Sequence, residues 1–509
     1  MERRLIVVIV LSIVVLLTWS ALVSKFYPVD NTIVTEQRPQ TTTFTPPLIP
    51  PSAVKSLPQP PGPQSSSYIH SQANYDLVFT ESQAAIREVI FKDYQNSKFA
   101  LTHGLALGDP NLVFTKKSAT HNSLTFVASD ADKKIIKRFI FYNDNYNIEL
   151  EIELENLSPA PLQINLPLML GVLNFGGNQN QARFQSVVWA VQDKTSHFNG
   201  RGDKFFDKVI FLAIRGKYFC AIVEPELDNY TGFIRKINTH ESEVGLNSPE
   251  IMLQPGQRLK KTFYIYLGPQ ELQIITRAKP DWTRVMYFGI FNFIAHLLLQ
   301  FIGFLYGLVK NWGVVIIMLG TLIYTALFPL TLKQMRSMKH MQALQPKIEE
   351  LRKAYKDQPQ KLNKEIMELY REYKVNPLSG CLPMVLQIPV FFALYQVLMR
   401  SVALKGAHFL WIKDLSEPDR LFTLPVSLPV LGNEINLLPI LMTIGMFIQQ
   451  KVSLQSASGG SAEQQKLMGI IFPLMFGFIF YHMPAGLVLY WFVYNLFTVI
   501  YQLRINRGR

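Results

Sequence analysis

The residues able to do chemistry in this 509-residue chain are neutral ones placed inside its long apolar runs. Thr321, Tyr324, Thr325, Gln387, Gln396, Asn436, Thr443, Gln449, Gln450, Tyr490, Tyr494, Asn495 and Thr498 can each donate or accept a hydrogen bond. Residues 312–332, 379–399, 435–450 and 467–503 hold no Asp, Glu, Lys or Arg. An ion-coupled carrier keeps acids or bases in such segments. A zinc protease needs an H-E-x-x-H pair and a nucleotide engine a glycine-rich phosphate loop, and neither occurs. Ser379-Gly380 resembles a nucleophile turn, but the only histidine in a later run, His482, falls in a turn at the opposite surface, out of reach of a triad. Taken singly, each neutral polar residue is expected to bond a neighbouring helix. Taken with Pro329, Pro383, Pro389, Pro439 and Pro473, they imply a wet, irregular interior, because freed backbone groups and amides at membrane depth must face protein or water. The chemistry is hydrogen bonding inside a membrane, not catalysis.

The elements around them read as a membrane protein with a large soluble part. The chain is 49% hydrophobic, and those residues clump into long stretches. After Met-Glu-Arg-Arg come nineteen uncharged residues, Leu5–Val23. At helical rise they reach about 28 Å, enough to span. An uncleaved anchor over 1–24 is expected, a cleaved secretory signal being the other reading. Residues 25–69 form a proline-rich, extended linker. From 70 to 280 the period is two: RFIFYNDNYNIELEIELEN (138–156) alternates on both sides of a turn, and 123–129, 208–214, 217–224 and 261–268 read as further strands, so a β-sandwich is expected. Residues 281–311 carry a weakly apolar stripe at Gly289, Asn292, His296, Gln300, Gly303 and Gly307, which predicts an amphipathic helix lying in the membrane interface. Residues 312–509 form the core, with spans expected at about 312–332, 379–401, 435–452, 466–481 and 486–503. Between the first two, residues 333–378 carry eleven Lys/Arg against six acids and fold as an amphipathic helical hairpin. With both termini and this hairpin cytoplasmic and the sandwich periplasmic, every basic cluster obeys the positive-inside rule, and the net charge of +13 serves topology and lipid. That points to a bacterial inner membrane with a periplasm, or an equivalent membrane. Cys220 and Cys381 lie in different parts and are expected to be separate thiols.

Several motifs carry a resemblance. Asn311-Trp312-Gly313 opens the first core span and Phe328-Pro329-Leu330-Thr331 closes it. Leu344-Gln345-Pro346-Lys347-Ile348 lies in the hairpin, NPLSGCLPMVLQIPVFFALYQVL at 376–398 and PAGLVLYWFVYN at 484–495. Together they resemble the YidC/Oxa/Alb family of membrane protein insertases, in the Gram-negative form with a large periplasmic domain. The resemblance implies a mixed fold: a polytopic α-helical membrane core of five helices plus the N-terminal anchor, with a periplasmic β-sandwich. It implies a hydrophilic groove open to the cytoplasm and bilayer that inserts and folds nascent membrane proteins, alone or with the Sec translocon. No catalytic residue, cofactor, metal or small-molecule substrate is implied. The groove residues expected are Gly320, Tyr324, Gln387, Pro389, Tyr490, Trp491 and Asn495. Lys347, Arg352, Lys353, Lys361 and Lys364 of the hairpin are expected to meet the ribosome or the incoming chain, a solvated face being the plainer reading. The chain departs from the family in one place. Relatives carry an arginine five residues before the Pro-Leu-Thr proline, where this chain has Tyr324. Gly320 replaces a threonine and Trp491 one of two tyrosines, so the groove is expected to be more aromatic and to tolerate Tyr324→Arg. A channel or carrier for uncharged solutes would use the same wet interior, but no internal repeat supports one. An assembly factor acting through its sandwich is the remaining alternative.

Overall fold

The computed structural model describes residues 67–109, 112–142, 145–175, 182–198, 202–226, 230–356, 358–373, 382–428, 432–454 and 462–507. The anchor, almost all of the linker, Ser379 and Cys381 lie outside the described residues.

Alternation builds the sandwich. Strand Asn147–Asn156 turns Ile148, Leu150, Ile152 and Leu154 inward and its glutamates outward. It pairs antiparallel with Lys133–Phe141 and Arg258–Pro269 at the centre of a nine-stranded sheet. On the outer face Arg138 meets Glu151 at 3.0 Å and Arg258 meets Glu155 at 3.0 Å across strands. A four-stranded antiparallel sheet formed by Ser67–Gly104 covers the inner face. Its Phe79 packs edge-on to Phe139 and its Phe91 stacks on Phe219 at 4.0 Å. Between the layers Lys137 is fully buried, and its Nζ donates to the Ala84 and Leu105 carbonyls at 2.6 Å each. Cys220 is a buried free thiol.

A short helix, α1 (Leu272–Ala278), ends the sandwich, and a 3₁₀ turn, Pro280–Val285, leads away from it. Glu224 holds that turn: one carboxylate oxygen accepts Trp282 Nε1 at 2.6 Å and the other pairs with Lys279. Helix α2 (Asn292–Val309) follows. Its Ala295, Leu298, Ile302 and Leu305 are buried, while Phe293, Leu297, Phe304 and Leu308 form an exposed apolar row. The helix is long and apolar enough to cross a membrane. Phe291, just before it, stacks on Phe392, and Tyr306 stacks on Trp312 at 4.0 Å. A side chain on Gly303 would come within 3.3 Å of Gln273 on α1.

The core contains α3 (Trp312–Ala343), α4 (Gln345–Ala354), α5 (Pro359–Glu372), α6 (Leu382–Arg400), α7 (Leu437–Leu454), α8 (Ala462–Tyr481) and α9 (Ala485–Arg507). One boundary differs from the sequence expectation. The apolar span Trp312–Leu332 falls as expected, but the helix that contains it does not end there. It runs on unbroken to Ala343, because residues 333–343 include no Gly or Pro and are mostly good helix formers. The hairpin proper is α4 and α5, closed by Leu344, Ile348 and Tyr370 as an apolar cluster of its own. At the sandwich end of the core, Asp419 accepts Trp411 Nε1 at 3.2 Å and caps α7 through Leu438 N at 2.7 Å, while Asn436 holds the Tyr481 carbonyl at 2.8 Å.

Helices α7 and α8 meet at Gly477, where an added Cβ would lie 2.3 Å from Thr443 Oγ1 and 3.2 Å from its Cγ2. Gly477→Ala should therefore force the pair apart and destabilise the protein by about 1–3 kcal/mol. Thr443→Ala deletes both clashing atoms, so the double variant should recover the wild-type melting temperature in detergent. Equal melting temperatures for Gly477→Ala alone and wild type would mean that the two helices do not pack this way.

Candidate functional site

The expected groove residues fall on a seam where α3, α6 and α9 converge. Gly320 brings α3 and α9 together: a Cβ there would sit 3.4 Å from Val493 and 3.5 Å from the Tyr490 ring. Tyr490 is fully buried, and Gln387 of α6 donates its Nε2 to the Tyr490 hydroxyl at 3.0 Å. One turn along α3, Tyr324 is 3% exposed. Its ring is surrounded by Tyr494 at 5.5 Å, Phe497 at 5.6 Å, Tyr501 at 5.9 Å and Phe328 at 6.2 Å. Spacings of three and four residues put 494, 497 and 501 on one face of α9, a signal present in the sequence that the reading of single polar residues passed over. Trp491 is half-buried on another part of α9, against Phe391 of α6 at 5.0 Å and Phe480 of α8 at 5.6 Å. Asn495, one turn beyond, is buried. Pro389 is half-buried, two residues after Gln387.

The polar groups sort into two sets. Thr321, Thr325, Thr443 and Thr498 return their hydroxyls to carbonyls four residues back, at 2.7–2.9 Å, and Asn436 is a structural pin. Tyr324 Oη, Gln387 Oε1, Trp491 Nε1 and Asn495 Nδ2 are instead buried with no hydrogen-bond partner among the described residues. Leaving such atoms unpaired costs about 1–3 kcal/mol each. The seam is thus aromatic and closely packed, yet holds unused hydrogen-bonding capacity. This packing alters the expectation for Tyr324→Arg: a guanidinium would have to displace four rings, not enter an open groove.

In the hairpin, Lys347, Lys353, Lys361 and Lys364 are exposed and Arg352 is half-buried. Lys347 reaches the Tyr373 hydroxyl, Lys361 lies over Tyr355 at 4.9 Å, and Lys364 stands 3.8 Å from Glu368. Such surface contacts leave the charges available to a polyanion.

A β-sandwich carried on apolar helices, with neutral polar groups sealed between those helices, defines a helical membrane protein with a large β-domain. Residues 89–301 match the family described as YidC periplasmic domain, and residues 304–509 the family described as 60Kd inner membrane protein. The chain is 31% identical to the membrane protein insertase YidC of Geotalea uraniireducens strain Rf4, with 100% of this chain and 99% of that one covered. It is also 31% identical to the membrane protein insertase YidC of Pelobacter propionicus strain DSM 2379, with the same coverage. A crystal structure of an active YidC insertase with its first transmembrane domain resolved is similar at a TM-score of 0.41 and 18% identity, covering 87% of this chain and 92% of that one. The chain belongs to the YidC family of membrane protein insertases.

Proposed function

We propose that this chain inserts and folds integral membrane proteins of a bacterial inner membrane by admitting their polar segments to the α3–α6–α9 seam. The observation that carries this reading is the set of four buried, unpartnered polar atoms on Tyr324, Gln387, Trp491 and Asn495. A polar group crossing hydrocarbon unaided costs several kcal/mol. Hydroxyl, amide and indole groups on the seam lower that cost without making or breaking a covalent bond, so no catalytic residue or cofactor takes part. The apolar part of α8, Leu467–Tyr481, supports the same reading, because its fifteen residues reach only about 22 Å at helical rise and an apolar segment of that length thins the bilayer beside it. Site-specific crosslinkers at Tyr324, Gln387 and Trp491 should capture a nascent membrane protein stalled during insertion. Capture equal to that from lipid-facing Ile444 (50% exposed) would count against the seam.

In this reading the sandwich is periplasmic, both termini and the hairpin are cytoplasmic, and α2 lies across the outer ends of the core. The Sec translocon is a partner for some clients. The basic face of α4 and α5 meets ribosomal RNA, so ribosome binding should weaken steeply between low and physiological salt. Replacing Lys347, Lys353, Lys361 and Lys364 together by glutamine should remove most of that binding and reduce co-translational insertion. Unchanged ribosome binding in that variant would leave the hairpin a solvated surface.

A further inference from the structure

Away from the seam, between the sandwich and the core, lies a cavity of about 350 Å³. Leu299 and Ile302 of α2, Ile316 of α3 and Leu398 of α6 give it apolar walls, and Gln270, Glu271, Gln300 and Arg400 give it polar ones. Arg400 is the cation on these walls. Its Nε donates to Gln396 Oε1 at 3.4 Å, and its guanidinium lies 5.3 Å from the Phe184 ring centre. Its Nη1 is buried without a hydrogen-bond partner among the described residues. Gln270 links the cavity to a second arginine. Arg215, 2% exposed, donates Nε to Gln270 Oε1 at 2.9 Å and Nη1 to the Tyr287 carbonyl at 3.1 Å. Its Nη2 is likewise buried and unpartnered. Burial first, and then the charge of Arg400, hold the Arg215 pKa down to about 9.

No carboxylate among the described residues pairs with either arginine. Glu271, the acid on the cavity wall, accepts the Tyr94 hydroxyl at 3.2 Å, and burial raises its pKa. Two buried guanidinium groups with free N–H bonds call for an anionic oxygen acceptor, and the fork geometry of arginine suits phosphate. The apolar walls disfavour a free, fully hydrated anion and suit an amphiphile. The volume lies at the lower end of small-molecule pockets, roughly 300–1,000 Å³, enough for a headgroup and not for a whole lipid. Gln300 is on the wall, and Phe304, its i+4 neighbour, belongs to the exposed apolar row of α2, which offers a surface for an acyl chain.

We propose that this cavity binds the headgroup phosphate of an anionic phospholipid, with Arg400 as its principal ligand, Arg215 supporting, and an acyl chain lying along α2. The bound lipid joins the sandwich to the core at the face where the two meet.

The test uses the full-length protein in detergent, titrated separately with dioleoylphosphatidylglycerol, dioleoylphosphatidylcholine and inorganic phosphate. Retained lipid is counted by native mass spectrometry and the melting temperature followed in parallel. Phosphatidylglycerol should be retained at one molecule per chain and raise the melting temperature, and Arg400→Gln should weaken its retention by about ten-fold or more. Gly303 lines the cavity, so Gly303→Leu places apolar bulk there and keeps both arginines, and a Cβ at this position meets only the flexible end of Gln273, at 3.3 Å. This variant should block retention as well, and it carries the test if Arg400→Gln accumulates poorly. Retention of phosphatidylglycerol by Gly303→Leu at the wild-type level, or equal retention of phosphatidylcholine, would overturn the proposal. So would full competition by inorganic phosphate at the same concentration as the lipid, which would mark a site for free anions.

Discussion

Tyr324→Phe is expected to leave the amount of protein in the membrane unchanged and to lower insertion of clients with polar translocated segments by about two- to ten-fold, the worth of one hydrogen bond. Phenylalanine keeps every ring contact with Phe328, Tyr494, Phe497 and Tyr501 and removes only a hydroxyl that has no partner among the described residues. Deleting a buried, unpaired polar atom does not destabilise the fold. Tyr324→Ala is the contrasting case. It empties the space between those rings, costs about 3–5 kcal/mol, and should reduce accumulation together with insertion. Tyr324→Arg should also accumulate poorly. A charge near mid-membrane costs about 2.5–3.5 kcal/mol on insertion scales, and cation–π contact with the surrounding rings returns only about 0.5–2 kcal/mol. The assay measures insertion of matched clients alongside protein level for all three variants. If Tyr324→Phe inserts every client as wild type does, the hydroxyl does not touch them. If Tyr324→Arg accumulates normally, the ring cage opens more readily than its packing implies.

The stability of the sandwich should rise with pH from neutrality upward, and Lys137→Met should remove the Lys137 share of that slope, leaving the later-starting contribution of Lys261. Burial holds the Lys137 pKa down to about 7 in the folded chain, against about 10.4 for a free lysine. Between those values the unfolded chain binds the extra proton and the folded one does not, so raising the pH favours the folded state. Above about pH 7 the gain approaches 1.4 kcal/mol for each pH unit. The uncharged amine still has two N–H bonds for the Ala84 and Leu105 carbonyls, so the tie between the sheets survives loss of the charge. Cys220, pushed up to about 12 by burial, acts in the opposite sense once the pH passes the usual thiol range, about 8.5. Lys261, held down to about 8, acts in the same sense as Lys137. The comparison therefore belongs between about pH 6.5 and 8.5, as the difference between wild type and Lys137→Met followed by denaturant unfolding. The variant also leaves the Ala84 and Leu105 carbonyls without the Lys137 donor, a cost that does not change with pH and so leaves the slope comparison intact. Parallel pH profiles for the two proteins would show that Lys137 stays charged in the folded sandwich.

Much of this architecture is legible residue by residue. The strict alternation of NIELEIELEN turns one face of Asn147–Asn156 to the core whatever its neighbours are, because successive side chains point to opposite sides of a strand. The charge-free runs set where apolar helices form, and Pro359 marks where α5 begins. The motifs that point to the insertase family are contiguous strings, so no folding is needed to read them. The first span showed the limit of that approach: its polar continuation to Ala343 reads as a separate element by composition, but helix propensity ignores the membrane boundary.

The tertiary structure decided which of the neutral polar residues have work to do. Thr321, Thr325, Thr443 and Thr498 spend their hydroxyls on their own helices, a local arrangement that sequence spacing permits but does not require. Gln387 and Tyr490 find each other across 103 positions, Tyr324 is enclosed by one face of α9, and Arg400 lines a cavity formed by the sandwich and three separate helices, with Arg215 behind its Gln270 wall. Hydrophobic periodicity tells which side of a helix is buried and not which partner it is buried against. A hydrogen-bonding atom in such a seam is satisfied or left free by the angle and distance at which two distant helices pack, and those are set only when the whole chain has folded.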